Sequence, residues 1–269
     1  MQIFKFGGAS VKDAEGVRNL ANVLKSVGYK NTLIIVSAMG KTTNAMEKVV
    51  SNYFDAKHEL HSSVQEVKKF HNNILLDLFE NETHAVFENI DDLFQELLQF
   101  FDHNKSPNYN FVYDQVIGFG ELISTSIISH YLNHIGLSNS WLDVRNCIKT
   151  DDYYRNAKVH WNQTQELISK KVDTSKLNIT QGFIGSNSNN FTTTLGREGS
   201  DYTAAIFAFC LNAKSVTIWK DVPGVLNADP RYFKNAELLS RISYTEAIEL
   251  SYYGASVIHP KTLQPLQRK

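Results

Sequence analysis

Two segments at opposite ends of the chain carry the residue types that phosphate chemistry needs. Thr192 to Ala205 reads Thr-Thr-Thr-Leu-Gly-Arg-Glu-Gly-Ser-Asp-Tyr-Thr-Ala-Ala, which puts glycines, small hydroxyls, one cation and one carboxylate directly ahead of an apolar helix. Met1 to Ser10 runs as a short apolar strand into Lys5, then Gly7-Gly8 and the Ser10 hydroxyl. Paired glycines let backbone amides approach an anion with no Cβ in the way, and a helix starting near Asp13 offers its positive end. The lysine adds a point charge. A Gly-Gly pair after a strand is by itself often a plain tight turn, so the second glycine cluster is what turns the reading toward phosphate.

The elements that must position these residues follow a strand, helix, strand order. Ile3 to Phe6, Asn31 to Val36 and Ser215 to Trp219 are apolar, partly β-branched runs ending at turn residues, as buried parallel strands do. Val17, Leu20, Ala21, Leu24 and Val27 share one helical face and predict a crossover helix. Thr43 to about Asp102 has almost no glycine or proline, and its leucine and phenylalanine stripe predicts a helical excursion, interrupted near Glu80 to Thr83, that packs as core. Asn104 to Asn108 reads as a loop, a helix is expected to start at Glu121 after Gly118-Phe119-Gly120, and a strand is expected around Ser140 to Val144. Gly185 to Asn190 is too polar to bury itself and reads as a hairpin tip or exposed loop.

Composition bounds the function classes. The 269 residues suffice for one large α/β domain or two small ones, and a net charge of −1 with scattered Lys and Arg excludes the clustered basic footprint of a nucleic-acid binder. Cys147 and Cys210 each sit in an apolar stretch without metal-ligand spacing, and read as buried thiols of a reducing compartment. No run approaches the roughly 18 apolar residues of a membrane span, so no membrane partner is expected and the cytoplasm is the expected location.

Four motifs in order resemble the aspartate kinases of the amino acid kinase family: Lys5-Phe6-Gly7-Gly8, Val36-Ser37-Ala38-Met39 followed by Thr43-Asn44, Gly120-Glu121, and Gly196-Arg197-Glu198-Gly199-Ser200-Asp201. The segments Lys220 to Arg231 and Gly254 to Pro260 extend the likeness over essentially the whole chain. The resemblance implies an α/β three-layer sandwich around a mainly parallel sheet. An amino-acid half would span about residues 1–190 and a nucleotide half about 191–269. It implies transfer of the γ-phosphoryl of ATP, with Mg²⁺, to the side-chain carboxylate of L-aspartate, giving 4-phospho-L-aspartate, and a homodimer.

Such a transfer has a loose, negatively charged transition state, so positive charge and positioning do most of the work. A carboxylate acceptor is already ionised at neutral pH and needs no general base. The resemblance therefore gives Lys5 to the transferring phosphoryl group and Asp201 to holding Lys5, while the Gly7 and Gly8 amides and Ser10 steady the phosphates. Arg197 would clamp a carboxylate, Glu121 would hold the ammonium, and Ser37, Thr43 and Ser200 would hydrogen-bond the amino acid. Lys220, Asp221, Leu226, Arg231 and Ser256 fall at nucleotide positions. Plainer roles stand beside these: Asp201 and Thr43 as helix N-caps, Glu121 as a first-turn carboxylate on a helix dipole, and Asp229-Pro230-Arg231 as a turn.

The match departs from the family at Ala9, Glu198, Leu226 and Ser256, the last replacing a common lysine. Lys220, where threonine is commoner, would restore that lost charge. Glu198, beside an anion site, must point outward or pair with a cation. The Asn187 to Asn190 loop and the Lys41 to Asn44 turn are candidate lids over the acyl phosphate. Aspartate kinases generally continue into regulatory domains beyond the point matching Lys269, so feedback control is not expected within this segment. A kinase of the same family acting on glutamate, acetylglutamate, carbamate or a nucleoside monophosphate is the alternative, as is a catalytically weak amino-acid-binding or scaffolding module.

Overall fold

The structure is a computed structural model and describes residues 1–252 and 257–267. In chain order its elements are β1 (Gln2–Phe6), α1 (Ala14–Val27), β2 (Thr32–Val36), α2 (Thr42–Asp55), α3 (Lys57–Leu78), α4 (Ala85–His103), α5 (Tyr109–His134) and β3 (Asn139–Leu142). There follow α6 (Trp161–Lys171), β4 (Leu177–Gln181), β5 (Ile184–Ser186), β6 (Thr192–Thr194), α7 (Gly199–Cys210), β7 (Ser215–Trp219), α8 (Tyr244–Tyr252) and α9 (Pro260–Gln267).

One parallel sheet runs in the order β3-β4-β2-β1-β7, and β5 with β6 forms a separate antiparallel hairpin. The strands β1 and β2 are buried almost throughout, which is why they read as continuous apolar runs. Helices flank the sheet, so the α/β arrangement expected from the sequence is present. Among the described residues no helix is long and apolar enough to cross a membrane. Both cysteines are buried, and burial pushes the Cys147 thiol up to about 12.

The strand β4, next to β2, has no counterpart among the sequence expectations because Leu-Asn-Ile-Thr-Gln is half polar. Its polar side chains are buried only because each finds a partner. Asn178 donates to the Asp173 carbonyl at 2.8 Å, Thr180 to the Leu142 carbonyl at 2.7 Å, and Gln181 to the Thr125 hydroxyl at 2.6 Å.

The excursion forms α2, α3 and α4, with its main break at residues 79–84 and a second at Ala56. The 185–190 segment lies in the β5–β6 hairpin, and Asn187 is buried there because its side chain accepts from the Asn189 and Phe191 amides. Asp13 caps α1 through the Gly16 amide at 2.8 Å.

The start of one helix differs from the expectation. The helix expected to start at Glu121 starts at Tyr109 and continues to His134, so Glu121 lies mid-helix and is no first-turn carboxylate. The glycines that suggested a boundary answer to packing instead. A Cβ on Gly120 would stand 3.1 Å from Ala38 Cβ and 3.2 Å from Thr42 Cγ2, and one on Gly118 would stand 3.0 Å from Thr192 Cγ2. Their absence lets α5, buried on nearly all sides, approach the end of β2 and the hairpin closely enough to aim Glu121 between them.

Candidate active site

The carboxyl ends of β1, β2, β4 and β7 lie side by side in the sheet, the place where α/β sheets commonly receive ligands. Lys5 is near the end of β1, Ser37 follows β2, Phe183 stands two residues past β4 and Lys220 follows β7. Trp219 stacks on Phe6 with ring centroids 6.0 Å apart and meets Phe4 edge-on at 5.9 Å, which ties the ends of β7 and β1 together.

Against these ends lies a cavity of about 390 Å³. It is lined by six of the residues singled out from the sequence, Lys5, Ser37, Thr43, Glu121, Arg197 and Ser200. Asp201 lies directly beneath, with no exposed surface, and its two oxygens meet two lysines. Oδ1 is 2.7 Å from Lys5 Nζ and Oδ2 is 3.2 Å from Lys220 Nζ. The residues that had to converge from the two extremities therefore do so. A carboxylate buried this deeply is tenable because both neighbours are cations. Lys220 also donates to the Val257 carbonyl at 2.6 Å.

Asp201 is the third residue of α7, and the N-cap position belongs to Glu198, whose backbone is left-handed at φ 53°. The capping alternative for Asp201 is thus overturned: its side chain turns to the lysines. Thr43 is likewise the second residue of α2 rather than its cap, which is Lys41. The Lys41 to Asn44 segment is the first turn of that helix.

Glu121 is 2% exposed. Its Oε1 accepts from the Ala38 amide at 3.3 Å, while Oε2 is buried without a hydrogen-bond partner among the described residues. Burial pushes the carboxyl up to about 8, against the opposing pull of the Ala38 amide and the Lys5 charge. A buried acceptor oxygen facing a cavity and lacking a donor suits a ligand that brings one.

The cavity also takes in Tyr113, Arg155, Phe183 and Thr194, which the sequence did not single out, together with Glu198, which is exposed and makes no ion pair among the described residues. Phe183 was concealed with β4, and its amide donates to Thr203 Oγ1 of α7 at 3.0 Å. Tyr113 sits in α5 and donates to Glu47 at 2.9 Å; burial, then that carboxylate, raises its phenol. Buried Asp114 accepts from the Arg155 amide at 3.0 Å and 3.1 Å, the Thr194 amide at 2.8 Å and the Thr194 hydroxyl at 2.8 Å. Burial raises its carboxyl to about 6 despite those donors. A lone arginine in the loop Asp-Asp-Tyr-Tyr-Arg-Asn carries no sequence signal for a site.

Apart from Lys5, the described residues given to the phosphates and the nucleotide do not line the cavity. Gly7 lies against Lys5, since a Cβ there would be 3.5 Å from Nζ, and a Cβ on Gly8 would stand 2.5 Å from the Ala38 carbonyl oxygen. Ser10 donates to the Trp219 carbonyl at 3.4 Å. Asp221 is exposed, Leu226 bridges to Leu238, and Arg231 is exposed and paired with Asp229 at 2.6 Å. Ser256 lies outside the described residues.

Comparison with known proteins gives the family and the fold. The model of the amino acid kinase family matches residues 1–269. The bifunctional aspartokinase/homoserine dehydrogenase 2, chloroplastic, of Arabidopsis thaliana is 34% identical over 275 residues, covering 99% of this chain and 30% of that protein. Lysine-sensitive aspartokinase 3 of Escherichia coli (strain K12) is 33% identical over 278 residues, covering 99% of this chain and 59% of its own length. The crystal structure of E. coli aspartokinase III in complex with aspartate and ADP superposes with a TM-score of 0.89 at 32% identity, over 100% of this chain and 60% of that one. The chain thus spans between about a third and three fifths of the length of these relatives.

Proposed function

The chain belongs to the amino acid kinase family, and we propose that within it this domain transfers the γ-phosphoryl of ATP to the side-chain carboxylate of L-aspartate. The observation that carries the reading is the Lys5–Asp201–Lys220 cluster, set directly beneath a cavity that holds Arg197 and the unpartnered Oε2 of Glu121. A free amino acid with two carboxylates answers that cavity. Its ammonium donates to Glu121, one carboxylate meets Arg197, and the other is left to face Lys5. Ser37, Thr43 and Ser200 complete its hydrogen bonds.

Asp201 neutralises part of the lysine charge and holds both ammonium groups toward the incoming phosphate, so the developing charge meets cations already in position. No side chain has to remove a proton. The phosphates would lie along the Gly7 and Gly8 amides and Ser10, with the nucleotide against Lys220, Asp221, Leu226, Arg231 and Ser256 of the 191–269 half. Among the described residues no group of three or more His, Cys, Asp or Glu side chains is arranged to hold a metal ion. Mg²⁺ therefore enters this reading as part of the MgATP substrate, carried by phosphate oxygens.

The test is ADP release across a panel of amino acids, with hydroxylamine trapping of the acyl phosphate. ADP release and a hydroxamate with L-aspartate are expected. A hydroxamate formed only with glutamate or acetylglutamate would move the reading to another acceptor, and ADP release without a hydroxamate would remove the carboxyl acceptor altogether.

A further inference from the structure

Among the described residues, three arginines rest on carboxylates: Arg18 on Asp77, Arg145 on Asp143 and Arg231 on Asp229. Arg155 and Arg197 make no ion pair among the described residues, and both line the cavity. We propose that Arg155 is a second guanidinium that, with Arg197, grips the non-reacting carboxylate of the acceptor, making it a specificity-determining residue of the amino-acid half. The proposal rests on the acceptor reading above.

Three features of Arg155 support it. Its backbone is left-handed, with φ 69°, a conformation disfavoured for any residue with a Cβ. It is held there by the two bonds from its amide to buried Asp114, whose remaining bonds go to Thr194 in the cavity wall. Strain kept in place by a buried carboxylate is what a positioned side chain at a binding site requires. The guanidinium then lies 4.3 Å from the centroid of the Tyr113 ring. The ring covers one face of the guanidinium and the Tyr113 hydroxyl takes one of its hydrogen bonds, which leaves the other donors of the planar group for two-point recognition of a carboxylate at the cavity wall. The ring is itself fixed by the Tyr113 hydroxyl on Glu47 at 2.9 Å.

The chemistry also divides the roles of the cations. Lys5 is committed to Asp201 and to the reacting end, so a dicarboxylic amino acid needs its second negative charge met elsewhere in the cavity. Two guanidiniums outweigh the nearby negative charge of Glu198, which the same cavity presents.

The test compares wild type with Arg155→Gly and Arg155→Lys, using L-aspartate and its α-amide, which keeps the side-chain carboxylate but lacks the other. Glycine accepts φ 69° without strain, so Arg155→Gly removes the cation while leaving the melting temperature equal to or above that of wild type. The proposal expects kcat/KM for L-aspartate to fall roughly tenfold or more through a raised KM for the amino acid. The KM for ATP should stay unchanged, the α-amide should show little further loss, and lysine should rescue only in part. Equal losses for L-aspartate and the α-amide, or a loss that follows a lowered melting temperature, would overturn it. Ligand-induced thermal stabilisation by L-aspartate, measured on the same proteins, separates the two layers. Wild type showing neither turnover nor stabilisation refutes the acceptor reading and this proposal with it, whereas a responsive wild type and an unaffected Arg155→Gly refute the Arg155 role alone.

Discussion

Replacing Glu121 by glutamine keeps its shape and the acceptor for the Ala38 amide, and removes only the titrating oxygen. Burial raises the Glu121 carboxyl from its ordinary 4.5 to about 8, so between those values the folded protein retains a proton that the unfolded chain releases. Stability is therefore lost as pH rises through that window. At about 1.4 kcal/mol per pH unit, the cost carried by Glu121 grows by about 3 kcal/mol between pH 5.5 and pH 8.5. The glutamine variant does not carry it.

For a chain of this length about 1 kcal/mol moves the melting temperature by roughly 2 °C. The melting temperature of Glu121→Gln should thus gain on wild type by roughly 6 °C across that range, in scanning calorimetry without ligand. L-aspartate should reverse the comparison, because its ammonium relieves the buried carboxylate in wild type and finds a neutral amide in the variant. Affinity for L-aspartate should improve with pH up to about 8 in wild type and stay flat in Glu121→Gln. Parallel melting curves at all pH values would refute the argument that this carboxyl is held protonated by its surroundings.

Further outcomes follow from the same geometry. Asp201→Asn preserves volume but releases Lys5 and Lys220 from their shared carboxylate, and should lower kcat by about a hundredfold or more in an ADP-release assay while circular dichroism stays native; near-normal turnover would make Asp201 purely structural. Lys220→Thr should raise the KM for ATP more than that for L-aspartate, and adding Ser256→Lys should recover part of the loss; an additive or neutral double variant would remove the idea that one cation replaces the other. His71 is buried in α3 against Thr42 and the Val67 carbonyl, and burial lowers it to about 4, so stability should be lost as pH falls from about 6.5 toward 4. His71→Gln should remove about 3 kcal/mol of that acid sensitivity in urea titrations, and an unchanged pH profile would count against it.

How much was legible in the chain itself depended on whether the signal was local. The apolar runs of β1, β2 and β7, the crossover helix α1 and the helical excursion follow from residue order, because strand and helix burial leave periodic marks on the sequence. The family resemblance carried by the motif order also implied one site for Lys5, Asp201, Glu121 and Arg197. What escaped was set by partners distant in sequence. The half-polar strand β4 is buried because Asn178, Thr180 and Gln181 meet groups from other segments, and Gly118 and Gly120 sit inside α5 because neighbouring side chains press against them. Tertiary packing alone decided that Asp201 would be shared by two lysines, that Glu121 would keep one oxygen without a donor among the described residues, and that Arg155 would be pinned in a left-handed backbone at the cavity wall. Residue types and spacing specify which chemistry is available, but charge, strain and an unsatisfied acceptor come into being only when burial removes water and the chain supplies the neighbours.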